Sequence, residues 1–137
     1  MKLHGFVAGT ALVAALTLTA CGGSSGGTTG GGAAQTLAIA SAAGAELKYD
    51  KSVLEAKANK PFKVTFSNKG SVQHNFLIKG KDGQPVGGVP SNVTTAYLDP
   101  AANGTSGEVT LPAGSYEFYC SFPGHEAMMK GQVVVQP

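Results

Sequence analysis

Residues 119–131 read YCSFPGHEAMMKG and place a thiol, an imidazole and two thioethers within ten positions, Cys120 to Met129. A second imidazole, His74, lies upstream in the segment QHNF. His74, Cys120, His125 and Met129 are therefore four candidate metal donors. Two imidazoles, one thiolate and a weak axial thioether are the donors of a trigonal mononuclear copper site. Sulfur stabilises Cu(I), imidazole suits both oxidation states, and a fixed trigonal arrangement satisfies neither state fully. Such a site rearranges little when it gains or loses an electron. Zinc accepts thiolate and imidazole, but a thioether is a poor zinc ligand. Met128 stands beside Met129 and competes with it for the axial position.

These residues need elements that bring them together. The chain reads as short strands separated by turn signals, which predicts an all-β sandwich with antiparallel strands. Candidate strands are TLAIASA, PFKVTFSN, QHNFLIKG, VTTAYL, EVTLPAG, SYEFYC and GQVVVQP, with turns at NKGS and GKDG. Residues 80–107, rich in Gly, Pro and Asn, read as a long excursion with a turn near 98–103. Successive strand residues face opposite sides. In SYEFYC, Tyr116, Phe118 and Cys120 share one face, while Ser115, Glu117 and Tyr119 share the other. Glu117 marks the wet side, so Cys120 points inward at a strand end and Tyr119 outward, where it is a candidate second electron port. In QHNFLIK, His74 shares the inward face with Phe76 and Ile78, opposite Asn75 and Lys79. Two inward donors at strand ends can meet at one pole of a sandwich. Pro123 and Gly124 allow the loop to turn back between Cys120 and His125.

The N-terminal residues read differently. FVAGTALVAALTL is an apolar run of about thirteen residues, the length of a secretory leader core and short of the roughly twenty that span a membrane. LTAC follows, ending at Cys21, and resembles the lipobox at which bacterial lipoproteins are cut and acylated. Residues 1–20 are expected to be a lipoprotein signal peptide, and residues 21–35 a lipidated cysteine with a Gly/Ser/Thr tether reaching about 20 Å. Residues 36–137 form the single folded domain. Of the two cysteines, lipidation of Cys21 leaves Cys120 alone, and an exported lone thiol needs protection such as a metal provides. The ten basic residues are all lysines, scattered and nearly balanced by eight acidic ones. No nucleic-acid face is expected.

CSFPGHEAMMKG resembles the copper loop of azurins and auracyanins, within the plastocyanin/azurin family of cupredoxins. The C-x4-H-x3-M spacing, FPGH and MKG match, and QHNF resembles the segment carrying that family's first histidine. The leader and glycine-rich tether look most like auracyanin. The resemblance runs from about Lys48 to the end. It implies a Greek-key cupredoxin sandwich of about seven to eight strands with one type 1 copper at one end. His74, Cys120 and His125 would be equatorial ligands. Met129 would be axial, favoured over Met128 by its spacing and by the following KG. Gln73 occupies the position whose backbone carbonyl approaches copper. Asn75 would tie the two ligand segments together, and the Phe122 N–H would donate to the Cys120 sulfur. His125 would sit near an apolar surface patch where electrons pass. Three features depart from the pattern. No partner exists for an azurin-type disulfide, Phe76 replaces Trp, and Glu126 and Met128 replace smaller or aliphatic residues.

The function expected is a membrane-tethered electron carrier working between redox proteins, exported to the periplasm or cell exterior as a monomer. The alternative is an extracytoplasmic copper-binding or delivery protein, whose Met/His-rich sets the three methionines here do not supply. A copper enzyme needs further histidines. With His4 in the leader, only His74 and His125 remain. A binuclear site needs a second loop cysteine.

Overall fold

The computed structural model describes residues 33–137. The leader, Cys21 and nearly all of the tether lie outside them. Eight strands follow in order: β1 (Gln35–Ala40), β2 (Val53–Lys57), β3 (Phe62–Ser67), β4 (Phe76–Lys79), β5 (Pro85–Val89), β6 (Asn103–Thr105), β7 (Gly114–Tyr119) and β8 (Lys130–Gln136). They form a three-stranded sheet, β1-β3-β6, and a five-stranded sheet, β2-β8-β7-β4-β5. The fold is the expected all-β sandwich.

Alternation builds each layer. Phe62, Val64 and Phe66 of β3 are buried while Lys63, Thr65 and Ser67 between them are partly open. In β2, Leu54 and Ala56 face in and Val53, Glu55 and Lys57 face out. Leu37, Ile39, Phe76, Ile78, Phe118, Val133 and Val135 complete a core shared by both sheets. Tyr49 stands within it, edge-on to Phe66, Phe76 and Phe118 at 5.8, 6.0 and 5.3 Å between ring centroids. Its hydroxyl donates to the Asn75 carbonyl at 2.6 Å, so the one polar atom of this ring is satisfied.

Several expectations need correction. Pairing is not uniformly antiparallel: β1 runs parallel to β3, and β2 parallel to β8. Residues 41–52 carry the chain from one sheet to the other, so β1 and β2 close different sheets, and parallel neighbours need such crossovers. Strand β2 is absent from the sequence reading. VTTAYL and EVTLPAG are not strands and contribute only the isolated pairings His74↔Leu98 and Phe62↔Val109. The excursion over 80–107 contains β5 and β6 as well as the expected turn, closed by the Ala102 N–H to the Asp99 carbonyl. The domain's first strand begins at Gln35, one residue before the expected boundary.

Candidate metal centre

The strand register brings the ligand segments to one end. Leu77 pairs with Tyr119 and Ile78 with Phe118, antiparallel, so the residues before β4 meet the residues after β7. Tyr119 also pairs with Lys130, which places residues 120–129 as the loop joining β7 to β8. The Cys120 N–H donates to the Met129 carbonyl at 3.0 Å and closes the base of that loop. His74 is pinned by a two-way backbone pairing with Leu98, at 3.2 and 2.8 Å. Inside the loop, the His125 N–H donates to the Phe122 carbonyl at 2.9 Å, and the His125 carbonyl accepts from the N–H groups of Met128 and Met129 at 3.0 and 2.8 Å. Gly124 makes the reversal possible with φ of 84°, a region where an L side chain is strained.

His74, Cys120 and His125 converge, with ligand atoms all within 4.8 Å of one another. The Cys120 Sγ lies 3.8 Å from His74 Nδ1 and 3.7 Å from His125 Nδ1. Metal–sulfur and metal–imidazole bonds of about 2.3 and 2.0–2.1 Å put these atoms about 3.8 Å apart at a trigonal angle and about 3.6 Å apart at a tetrahedral one. The donor spacing therefore fits one ion held by all three atoms. Its chemistry, one soft thiolate with two imidazoles, suits copper. Cys120 and His74 are 0 % exposed and His125 8 %, so His125 is the edge of the cluster nearest solvent.

The electrostatics of the two imidazoles suit metal binding. Burial holds the His74 imidazole below its usual range, reinforced by His125 and partly opposed by Glu46. Burial does the same for His125, again partly opposed by Glu46. Neutral imidazoles are the ligand form. Burial pushes the Cys120 thiol up, while backbone N–H donors of Asn75 and Phe122 pull it back in part. The Asn75 N–H is a contributor that the sequence did not reveal.

The remaining expected residues separate clearly. Met129 is fully buried in the same core cluster as Cys120, whereas Met128 is 68 % exposed. Burial thus divides the two adjacent thioethers. Asn75 is buried and links the two segments: its Nδ2 donates to Ser121 Oγ at 2.7 Å and to the Ala96 carbonyl at 3.0 Å, and its Oδ1 accepts the Ser121 N–H at 2.8 Å. Ser121 Oγ in turn donates to the Thr94 carbonyl. Gln73 is exposed and its side chain donates to Asp99 at 2.7 Å. Phe122 packs on the His125 ring at 4.6 Å between centroids and is braced by Tyr97 at 5.2 Å.

Two expectations about the outer face fail. Tyr119 is 5 % exposed rather than outward in solvent, because the Lys79 ammonium lies 4.6 Å over its ring. Asn75, on the same expected wet side, is fully buried by the loop carrying Ala96. Glu126 does not leave a bare charge beside His125, since Lys79 Nζ donates to it and to Glu117, each at 2.8 Å. These carboxylates push the Lys79 pKa above its ordinary value. Ser121, Tyr97 and Lys79 carry no motif of their own. Only the register of β4 against β7 could have pointed to Ser121.

Comparison with known proteins agrees with this geometry. The family model for copper binding proteins of the plastocyanin/azurin family matches residues 35–136, further upstream than the resemblance in the sequence suggests. Auracyanin-A of Chloroflexus aurantiacus is 35 % identical over 112 residues, covering 67 % of this chain and 69 % of that protein. An azurin of Pseudomonas chlororaphis is 35 % identical over 105 residues, covering 58 % of this chain and 82 % of the azurin. The crystal structure of dithionite-reduced auracyanin from Roseiflexus castenholzii superposes with a TM-score of 0.63 at 29 % identity, over 77 % of this chain and all of that one. The chain belongs to the plastocyanin/azurin family of copper-binding proteins.

Proposed function

We propose that this protein is a one-electron carrier in which His74, Cys120 and His125 would hold a single copper and Met129 would supply a further thioether donor. The Gln73 backbone carbonyl would be a further oxygen available to the metal. Bound copper would supply a Cu(II)/Cu(I) couple. The chain's own part is to hold the donors still, exclude water from them and leave one edge accessible. The observation that carries this reading is the burial pattern: a fully enclosed thiolate and imidazole, with His125 alone of the three reaching toward the surface. A delivery protein needs ligands that a partner can reach, and this centre hides them. His74 and His125 are the only histidines beyond the leader and both belong to one cluster, which supports a carrier rather than a copper enzyme.

The redox partners are proteins that dock over His125, where Phe122 contacts the imidazole. Acylation of Cys21 would hold the exported, monomeric head near the membrane through a tether reaching about 20 Å, raising its effective concentration at membrane complexes. The leader composition and LTAC support this part. The test is the visible spectrum of the purified chain with Cu(II), then with ascorbate. An intense thiolate-to-copper band that bleaches on reduction and returns on oxidation is expected. A colourless protein whose Cys120 is oxidised by copper overturns the reading.

A further inference from the structure

Ligation through Nδ1 leaves the other nitrogen of His74 carrying the proton. That nitrogen, Nε2, is buried and has no hydrogen-bond partner among the described residues. A buried donor without an acceptor costs about 1–3 kcal/mol, so its surroundings matter. The Glu46 carboxylate faces it, with Oε2 3.9 Å away. Glu46 is held in that direction from its far side. The Ser71 N–H reaches its two oxygens at 3.2 and 3.0 Å, and Ser71 Oγ donates to Oε1 at 2.8 Å. Gly70 roofs the gap. A Cβ there would lie 2.9 Å from both Glu46 Oε2 and His74 Nε2, so only glycine keeps imidazole and carboxylate facing each other.

We propose that Glu46 is the positioning residue for His74, its carboxylate accepting the Nε2–H and thereby fixing Nδ1 as the ligand nitrogen. This rests on the reading of His74 as a copper ligand. Ordinary N–H···O bonds reach about 3.2 Å, so the carboxylate needs to approach by about 0.7 Å. The Glu46 side chain is 44 % exposed and has room to move. A carboxylate behind a ligand imidazole orients the ring and raises its basicity. The more basic imidazole favours Cu(II), so Glu46 lowers the reduction potential. Only Glu46, Gly70, Ser71 and His74 are needed, and His74 alone of these is a ligand.

The decisive variant is Glu46→Gln, which keeps an oxygen for Ser71 and removes the charge facing His74. Outer partners of this kind change metal affinity about tenfold or more. A tenfold loss for Cu(II) relative to Cu(I) raises the potential by about 59 mV. The thermal midpoint of the copper-free variant is expected to stay at the wild-type value. Glu46→Ala should raise the potential as well and also lower that midpoint, because Ser71 loses its acceptor. In the copper-free wild-type chain, nitrogen-15 NMR should find the His74 proton on Nε2, with the preference lost in both variants. An unchanged potential in Glu46→Gln overturns the proposal and leaves Glu46 as an anchor for the 69–71 turn. A His74 proton on Nδ1 in the wild type overturns it independently of copper. Absence of the blue band in the wild type would instead refute the carrier reading, and the NMR measurement would still decide the role of Glu46.

Discussion

Replacing Asn75 with alanine removes the hydrogen bonds that join the first ligand segment to the loop. The amide donates to Ser121 Oγ and the Ala96 carbonyl and accepts the Ser121 N–H, at 2.7, 3.0 and 2.8 Å. Each such bond contributes about 1 kcal/mol net. Ser121 is partly open and water can replace some of what it loses, but alanine at the fully buried Asn75 position also leaves a void where the amide packed. The expected loss is therefore about 3 kcal/mol. For a domain near 100 residues this lowers the thermal midpoint by roughly 10–20 °C. Far-ultraviolet circular dichroism of the copper-free chain measures it without interference from the metal. A double-mutant cycle with Ser121→Ala should give a coupling of about 0.5–1 kcal/mol, since that change removes only the Oγ bond and leaves the Ser121 N–H bonded to Asn75 Oδ1. A loss below 1 kcal/mol, or strictly additive single changes, would refute the claim that this amide joins the two segments.

Other perturbations follow from the same geometry. Met129→Leu should keep copper and colour while raising the reduction potential, whereas Met128→Leu, at a position 68 % exposed, should change neither potential nor stability by more than about 0.5 kcal/mol. The reverse outcome, measured by voltammetry, would put the axial register one residue out. Gly124→Ala forces a Cβ onto a φ of 84° and should cost about 1–2 kcal/mol in thermal unfolding. Lys79→Met breaks two partly exposed ion pairs to Glu117 and Glu126. It should cost about 1 kcal/mol or less at low salt and nothing measurable at 1 M salt.

Much of this was legible before any coordinates. Alternation alone put His74 and Cys120 on inward faces at strand ends, and the strand register then set them side by side. The Phe122 N–H and Asn75 link were available only through the family resemblance. Spacing and the following KG favoured Met129 over Met128, and burial then separated the two side chains. The failures share a cause. Parity assigns a wet side to a strand only when that side is left uncovered. At β4 and β7, the loop through Thr94 and Ala96 and the Lys79 side chain cover it, so Asn75 and Tyr119 are buried despite their parity. VLEAK was missed because Val53, Glu55 and Lys57 on its open face obscure Leu54 and Ala56 on the other. Glu46 gave no signal because its role depends on a turn 25 residues away in sequence.

The construction of the pole bears directly on what it can do. Each of the three clustered candidate donors is fixed by contacts that involve only protein atoms: His74 by the Leu98 pairing, Cys120 by the Met129 carbonyl, His125 by the Phe122 carbonyl. Their spacing is thus a property of the fold. The segments bearing His74 and Cys120 are 46 residues apart in sequence, so the loop alone cannot set it. Beneath the donors, the Tyr49, Phe76 and Phe118 rings fill the core, and a close-packed interior resists displacement. A copper held at such donors cannot take up the separate geometries its two oxidation states prefer. That restriction would hinder a protein that must release its metal, and it favours one that must pass an electron with little movement. The same reasoning places the tuning of the couple in residues outside the donor set, where a side chain such as Glu46 can change ligand basicity without altering the distances between donors.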